Sequence, residues 1–288
     1  MSLDDKLVLV TGGTGSIGQA LVEAFHAAGA QVVFQYHSSA DVAASLQARL
    51  GIVGIHLDLG VDFIAPDLAA DVLINNAGTN ESQVTTHLVD TGAWNRTLAV
   101  NLTAPFLLCR AYLPGMVARR WGRIINISSI YGLSANETSL PYNVSKHGLS
   151  GLTKTIAREY GAHGITCNEI CPGPVDSAMV KRLGSIRAAA EGIGLDEYLE
   201  SIRAEIPAGR LAMPGEIADL ALFLASSAAS YLNGVSVPLM VVCSRRCPCP
   251  PSTQTTRVAW PAWANGGAWP GGSMVFLAAP YSCRSMTA

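Results

Sequence analysis

The chain has 288 residues, of which 49% are hydrophobic and 14% charged, and its formal net charge is −2. That length suffices for one large domain with a buried core, and the near-neutral charge gives no reason to expect nucleic acid or an anionic membrane as a partner. No apolar run approaches the roughly 20 residues of a membrane span, and no signal-peptide pattern precedes the first predicted strand, so we expect a cytoplasmic protein.

Strand-like and helix-like segments alternate between Leu7 and Asn233, which predicts a parallel sheet covered by helices on both faces, a doubly wound α/β fold in a single domain. The predicted strands are short apolar runs at Leu7–Val10, Gln31–Gln35, Val72–Ile74, Arg123–Ile127, Ile165–Ile170 and Val235–Val242. The clearest predicted helices run from Ile17 to Gly29, from Pro141 to Tyr160 and from Pro214 to Ala225, with apolar residues at helical spacing.

The turn Thr11-Gly-Gly-Thr-Gly-Ser-Ile-Gly18 follows the first strand and opens the first helix. Glycines there permit a tight turn and let backbone N–H groups approach a pyrophosphate at a helix N-terminus. A strand-to-helix turn without a ligand is the alternative, but the strand–turn–helix setting favours a dinucleotide. The candidate cofactor-binding residues of this turn are Gly12, Thr14, Ser16, Ile17 and Gly18.

Tyr142 and Lys146 lie four residues apart in the long predicted helix, and therefore on one face of it. An ammonium group beside a phenol favours the phenolate, so we expect Lys146 to lower the pKa of Tyr142. Singly, the polar residues admit structural explanations, because Ser129 could merely end a strand and Asn101 could make only a structural bond. Their occurrence together with the glycine turn favours a catalytic set.

The glycine turn, Asn75-Asn-Ala-Gly78, Asn101, Ser129, Tyr142-x-x-x-Lys146 and Pro172-Gly173 occur in order. With these motifs, residues 3–238 resemble the short-chain dehydrogenase/reductase family. The resemblance implies a Rossmann fold and an NAD(P)-dependent interconversion of a ketone and a secondary alcohol. It also implies a homo-oligomer, commonly a tetramer that uses the last strand and the helix carrying Tyr142.

The resemblance assigns roles to individual residues. Tyr142 would supply or remove the proton, Ser129 would hold the substrate oxygen, and Lys146 would also face the nicotinamide ribose. Asn101 would anchor a water that links the lysine to solvent. The further cofactor contacts it implies are Asp58 and Leu59 at the adenine, Asn76, Ala77 and Gly78 at the ribose, and Pro172, Gly173 and Val175 at the nicotinamide.

Cofactor choice is read at the end of the second strand, where Tyr36, His37 and Ser38 stand. A carboxylate there would bind the ribose 2′-hydroxyl of NAD and repel a 2′-phosphate. None is present, and small hydroxyls with an imidazole could accept the phosphate, although no arginine adjoins them. We therefore expect NADP, with NAD as the alternative; His37 could also be an ordinary solvated loop residue.

Three features depart from the family pattern. Ser16 replaces a glycine of the turn, a small change that binding should survive. Only 16 residues separate Asp58 from Asn75, so we expect the helix that usually connects these strands to be short or missing. The usual Asp-Gly-Gly of the last strand is absent.

The composition changes after Pro238, since no Asp, Glu or Lys follows. Leu239–Ser244 can be encoded so that a shifted reading frame gives Asp-Gly-Gly, one apolar residue and a stop. We therefore hypothesise that residues 239–288 are an irregular, disordered tail produced by a frameshift, separate from a catalytic domain at 1–238. Cys243, Cys247 and Cys249 lack the paired pattern of a metal site, so no metal is expected. Cys109, Cys167 and Cys171 lie in apolar segments and are expected to be reduced core residues.

The substrate is less well defined than the reaction. Ala178–Ile206 is expected to form either a partly apolar lid over the site or an ordinary helix packed on the sheet. Gly209–Ile217 resembles 3-oxoacyl-acyl-carrier-protein reductases, which favours a small-molecule carbonyl substrate carried as an acyl thioester, whereas the lid segment somewhat resembles 3-hydroxybutyrate dehydrogenases. Other secondary-alcohol dehydrogenases, a non-catalytic dinucleotide-binding sensor and a damaged enzyme unable to assemble are the remaining alternatives.

Overall fold

The computed structural model describes residues 3–240. Seven parallel strands form one sheet in the order β3-β2-β1-β4-β5-β6-β7. The strands are β1 (Leu7–Val10), β2 (Gln31–Tyr36), β3 (Val53–His56), β4 (Val72–Asn75), β5 (Gly122–Ile127), β6 (Ile165–Pro172) and β7 (Ser236–Leu239). The helices are α1 (Ser16–Ala27), α2 (Ala40–Leu50), α3 (Thr91–Leu98), α4 (Ala104–Arg119), α5 (Leu140–Tyr160), α6 (Ala178–Glu191), α7 (Leu195–Glu205) and α8 (Pro214–Ala225).

The hydrophobic core has two layers, one on each face of the sheet. Successive side chains of a strand point to opposite faces, so Val8 and Val10 of β1 join one buried cluster while Leu9 joins the other. The first cluster includes the apolar faces of α1 and α8, and the second includes those of α4 and α5. The predicted doubly wound parallel sheet is therefore confirmed.

The chain between β3 and β4 contains no helix, as the short spacing from Asp58 to Asn75 predicts. Phe63, Ala65 and Leu68 instead pack directly against the second core cluster. The phenol of Tyr112 on α4 donates a hydrogen bond to the carbonyl of Pro66 at 3.0 Å. A few apolar side chains and this bond thus cover the face that a helix would otherwise cover.

Element bounds differ from the predicted ones mainly at strand ends, because β2, β4 and β6 extend one or two residues further. The last strand, β7, is shorter than predicted and ends at Leu239, and its predicted continuation at residues 241–242 lies outside the described part. The frameshift hypothesis, the expected disorder of the tail and its cysteines also fall outside that part. Cys109, Cys167 and Cys171 are buried free thiols, as expected.

No helix within residues 3–240 is long and apolar enough to cross a membrane. No group of three or more His, Cys, Asp or Glu side chains there is placed to hold a metal ion.

Candidate active site

The glycine turn between β1 and α1 is built as a ligand-binding turn. Gly12 has a φ of 65°, a conformation that glycine adopts without strain. Its N–H donates to Oε1 of Gln35 at 2.9 Å, and the N–H of Gly13 donates to the Gln35 carbonyl at the same distance. Helix α1 then begins at Ser16 with no side-chain cap on Gly15. Its first N–H groups are therefore available to an anionic ligand.

Ser16, the residue that replaces a glycine, contacts the segment expected to form a lid. Its hydroxyl accepts a hydrogen bond from the N–H of Ala178 at 3.2 Å. Ala178 is the first residue of α6. Ser16 therefore joins the glycine turn to the start of α6, a link that the sequence alone did not reveal.

The end of β2 carries the residues expected to read the cofactor ribose. Nε2 of His37 lies 3.4 Å from Oδ2 of Asp58, and the hydroxyl of Thr14 donates to the Ser38 carbonyl at 3.4 Å. Leu59 is buried. Nη2 of Arg96, from α3, lies 3.8 Å from Oδ1 of Asp58. An arginine that is distant in sequence therefore lies near Asp58, although none adjoins Tyr36, His37 or Ser38 in the sequence.

Asn76 and Ala77 bind the glycine turn itself. Nδ2 of Asn76 donates to the carbonyls of Thr11 and Gly12 at 2.9 and 3.2 Å. The N–H groups of Asn76 and Ala77 both donate to the Thr11 hydroxyl. These bonds hold the β4 loop against the turn and fix the shape of the crevice between them.

Ser129, Tyr142 and Lys146 converge above the carboxyl edge of β5 and β6. Ser129 follows β5 and lines the same two cavities as Tyr142, which lies in the first turn of α5. Nζ of Lys146 lies 5.5 Å from the centroid of the Tyr142 ring and donates to the Ile127 carbonyl at 2.8 Å. The predicted meeting of these three side chains in one site is seen in the structure.

The protonation states differ from the expected ones. Burial raises the pKa of Tyr142 to about 12, although the hydrogen bond from Ser129 opposes the rise. Burial also lowers the pKa of Lys146 to about 8, although the nearby carboxylate of Glu169 opposes the fall. The expected lowering of the Tyr142 pKa was wrong for this structure, because desolvation of the phenolate outweighs the other effects. A neutral phenol at pH 7 is equipped to donate a proton.

Asn101 is buried in a short π-helix, Ala99–Thr103, between α3 and α4. Its amide accepts from the N–H of Thr79 at 2.8 Å and donates to the Thr79 carbonyl and the Ser145 hydroxyl at 2.9 and 3.0 Å. The Ser145 hydroxyl in turn donates to the Tyr142 carbonyl at 2.7 Å. Asn101 therefore links the loop after β4 to the helix that carries Tyr142.

One cavity connects the start of α1 to Tyr142 and fits a nicotinamide nucleotide. It is lined by residues that the sequence assigns to cofactor or catalysis, namely Ile17, Asn76, Gly78, Ser129, Tyr142, Lys146, Pro172, Gly173 and Val175. Lys146 is 3% exposed, and the bond to Ile127 uses one of the three N–H donors of its ammonium group. The other two are available for ribose hydroxyls. When bound, the nucleotide would supply or accept the hydride.

A second cavity adjoins Tyr142 and Ser129 on the side of α6 and α7. These helices contribute Met179, Val180, Leu183, Arg187, Tyr198 and Ile202 to its wall. The segment expected to be a lid thus lines the space next to the catalytic candidates. Sequence reasoning did not single out Asn80, Asn136 or Arg187 there, since no local pattern distinguishes them.

Glu169 is a further residue that the sequence did not single out. It is fully buried in β6 and accepts hydrogen bonds from the hydroxyls of Ser150, at 2.9 Å, and Ser236. Its charge acts on both Lys146 and Cys171. A buried carboxylate therefore stands behind the lysine, where the sequence shows only an interruption of an apolar strand.

Comparisons with known proteins agree with this geometry. The family model described as enoyl-(acyl carrier protein) reductase matches residues 12–239. The D-beta-hydroxybutyrate dehydrogenase of Cupriavidus necator is 36% identical over 246 residues, which cover 81% of this chain and 95% of that protein. The 3-oxoacyl-acyl-carrier-protein reductase of Vibrio harveyi is 35% identical over 245 residues, with the same coverage.

A solved actinorhodin polyketide ketoreductase with NADPH superposes with a TM-score of 0.76 at 26% identity, over 84% of this chain and 98% of that one. Sequence, fold and relatives agree on NADP or NAD as the cofactor. The chain belongs to the short-chain dehydrogenase/reductase family, as an NAD(P)-dependent oxidoreductase that interconverts a ketone and a secondary alcohol.

Proposed function

We propose that this enzyme reduces the ketone of 3-oxoacyl compounds, with Tyr142 as proton donor, Ser129 as the hydrogen-bond donor to the substrate oxygen and Lys146 as the residue that orients the cofactor. The observation that carries the proposal is the meeting of all three side chains where the two cavities adjoin. The relatives include proteins named for 3-oxoacyl and beta-hydroxybutyrate substrates. In both kinds of substrate the reacting oxygen is bound to the beta carbon of the acyl group.

The protonation states suit the direction of reduction. A ketone that receives a hydride develops negative charge on oxygen, and that charge needs a proton and a hydrogen-bond donor. Tyr142 is protonated at pH 7, and burial raises the pKa of its phenol further, to about 12. Lys146, with a pKa lowered to about 8, keeps a positive charge at pH 7 and favours the phenolate left after proton transfer.

Asn101 acts as a positioning residue in this proposal. Its amide holds Ser145, whose hydroxyl holds the Tyr142 carbonyl. The water that it would anchor for Lys146 remains an expectation from the family resemblance. Among the cofactor contacts, Gly12, Thr14, Ile17 and Gly18 would surround the pyrophosphate. The family resemblance would place Asp58 and Leu59 at the adenine, Asn76, Ala77 and Gly78 at the ribose, and Pro172, Gly173 and Val175 at the nicotinamide.

We favour NADP over NAD because no carboxylate follows β2 where NAD would need one. The His37 imidazole follows β2 and lies 3.4 Å from Oδ2 of Asp58, a residue that follows β3. A 2′-phosphate at this place would therefore meet the imidazole and would also face the Asp58 carboxylate. The related structure with NADPH is consistent with this choice.

We further propose a homo-oligomer in the cytoplasm. Phe106 of α4 and Val144 of α5 are apolar and 44% and 38% exposed, so these two helices are where we would look first for a contact between subunits. The reduced core cysteines are consistent with a reducing compartment. Size-exclusion chromatography with light scattering tests assembly, and a monomer would support the damaged-enzyme alternative.

The decisive experiment is a substrate panel assayed with NADPH and NADH. It contains 3-oxoacyl thioesters, free 3-oxo acids, simple ketones and the corresponding secondary alcohols, with 2-enoyl thioesters as a control for the enoyl chemistry of the family model's description. We expect turnover of 3-oxoacyl compounds and its loss in Tyr142→Phe. Cofactor binding without hydride transfer to any ketone would favour the sensor alternative instead.

A further inference from the structure

Arg187 is the one charged residue among the described residues that line the cavity beside Tyr142. It projects from α6 and is half-buried. No carboxylate lies within salt-bridge distance of it in the described part of the chain. A cation in a partly apolar cavity without a counter-charge indicates that a ligand supplies the negative charge.

The guanidinium group is held in place by neutral partners. Its Nε and Nη2 both donate to Oε1 of Gln83 at 3.2 Å, and its Nη1 donates to the Tyr198 hydroxyl at 3.4 Å. A guanidinium carries five N–H groups. These bonds leave one N–H on each terminal nitrogen unused, which is the number a carboxylate needs for two parallel hydrogen bonds.

Gln83 connects Arg187 to the helix of the catalytic tyrosine. Its Nε2 donates to the Ser139 hydroxyl at 3.0 Å and lies 3.2 Å from Oδ1 of Asn80. Ser139 is fully buried and precedes the first residue of α5. The guanidinium is thus positioned relative to Tyr142 through side chains from three different segments, as preorganised recognition requires.

The wall of the cavity also carries apolar side chains from the two lid helices. Met179, Leu183 and Ile202 line it together with Arg187. An apolar chain suits such a wall, a reacting oxygen suits Tyr142 and Ser129, and an anionic group suits Arg187. The cavity therefore matches a molecule with these three parts.

We propose that Arg187 binds the free carboxylate of the substrate, so that the enzyme acts on oxo acids and hydroxy acids rather than on neutral ketones. This inference rests on the proposed function for its reaction but names a residue and a substrate class that the reaction does not require. The carboxylate accepts two hydrogen bonds from Nη1 and Nη2, and the intervening carbons contact Met179, Leu183 and Ile202.

A phosphate of coenzyme A or of a carrier's prosthetic arm could satisfy the same guanidinium. The test therefore compares three forms of one 3-oxoacyl group: the free acid, its neutral methyl ester and its coenzyme A thioester. A series of free oxo acids, in which the ketone carbonyl lies progressively farther from the carboxylate, tests which spacing between the two groups the cavity accepts. Each is assayed with the wild type, Arg187→Met, Arg187→Lys and the matched control Arg203→Met, an arginine of α7 that pairs with Glu200 outside the cavity.

Loss of a hydrogen-bonded charge pair typically lowers binding by about 10- to 100-fold. We expect Arg187→Met to lower kcat/KM for the best free acid by about that factor, mainly through KM, and to change it for the ester by less than about threefold. Arg187→Lys should restore part of the loss, and Arg203→Met should behave as the wild type. Equal losses for acid and ester, or a loss confined to the coenzyme A thioester, would overturn the proposal.

A binding measurement separates this inference from the proposed reaction. Saturated carboxylic acids and their amides, which cannot react, are titrated into the NADP-bound protein by calorimetry. The wild type should bind the acid at least about 10-fold more tightly than the amide, and Arg187→Met should lose that difference. This result would support anion recognition by Arg187 even if no 3-oxo substrate were turned over, and equal binding of acid and amide would refute it.

Discussion

Nζ of Lys146 lies 5.5 Å from the centroid of the Tyr142 ring, one helical turn away. Lys146 is buried and Tyr142 is partly buried, and desolvation moves their pKa values apart, to about 12 for the phenol and about 8 for the ammonium. Desolvation thus favours the neutral form of each. At pH 7 the site holds a protonated phenol beside an ammonium group whose charge is only about one pKa unit from being lost.

Replacing Tyr142 by phenylalanine removes the proton donor and keeps the ring. A positioned general acid typically contributes 10²- to 10⁴-fold, so we expect kcat to fall by about that factor. The dissociation constant for NADPH, measured by fluorescence titration, should change by less than about threefold. Tyr160→Phe, on the same helix outside both cavities, is the control and should keep full activity. Turnover by Tyr142→Phe near the wild-type rate would refute the assigned role.

Replacing Lys146 by methionine should stabilise the free protein at pH 7 while abolishing activity. The pKa of Lys146 in the folded protein, about 8, is lower than the ordinary lysine value of 10.5. The unfolded chain therefore binds more protons between these pH values, and the stability of the wild type rises with pH across this window. Below pH 8 the charge of the buried Lys146 lowers the free energy of unfolding of the wild type by about 3 kcal/mol. The mutation removes this cost, but it also removes the hydrogen bond to the Ile127 carbonyl, which is worth about 1 kcal/mol.

The net gain expected for Lys146→Met is therefore roughly 2 kcal/mol in the free energy of unfolding at pH 7. Urea titrations at pH 7 and 9.5 measure it, and the difference between the two proteins should shrink at the higher pH. A variant less stable than the wild type at pH 7 would show that the buried ammonium is better solvated than its surroundings suggest.

Much of the fold could be predicted because its signals are local. Parallel strands buried on both faces are short apolar runs, and α8 lies at the predicted residues, Pro214–Ala225. The missing helix between β3 and β4 follows from chain length alone. Tyr142 and Lys146 could be paired because they share one helix.

What could not be predicted depends on contacts between distant segments. Arg187 meets Gln83 across 104 positions, and no local pattern marks either residue. Glu169 interrupts an apolar strand, and only the tertiary structure brings Ser150 and Ser236 to its carboxylate. The direction of the Tyr142 pKa shift was missed for the same reason, because desolvation is set by the packing around the phenol.

Two glycines of the cofactor turn should respond differently to alanine. A Cβ atom on Gly18 would lie 2.0 Å from the Gly12 carbonyl oxygen, whereas one on Gly15 would meet only that oxygen, at 3.4 Å. We expect Gly18→Ala to lower the free energy of unfolding by about 1–3 kcal/mol, because the turn must shift. Gly15→Ala should leave stability within about 0.5 kcal/mol and weaken cofactor binding, since its methyl group would crowd a pyrophosphate at the α1 N-terminus.

Urea unfolding of the free proteins and NADPH titration of both variants measure these effects. Normal cofactor affinity in Gly15→Ala would place the pyrophosphate elsewhere. Normal stability in Gly18→Ala would mean that the turn relaxes without cost.

Replacing Tyr36 by aspartate should shift cofactor preference towards NAD. Tyr36 ends β2, and its ring packs 5.4 Å from that of His56. A carboxylate at this strand end can accept a hydrogen bond from the ribose 2′-hydroxyl and repels a 2′-phosphate. We expect the ratio of kcat/KM for NADPH to that for NADH to fall by about 10- to 100-fold in low salt, and by less in high salt because the repulsion is screened.

Tyr36→Asn is the matched control, since it loses the same ring contact without adding charge. If Asn and Asp lower the ratio equally, the loss of the Tyr36 ring is responsible and not the charge. An unchanged ratio in Tyr36→Asp would mean that the 2′ position is read elsewhere, and the pair His37 and Asp58, 3.4 Å apart, would be the next place to test. His37→Ala should then lower affinity for NADPH more than for NADH, because only the phosphate would need the imidazole.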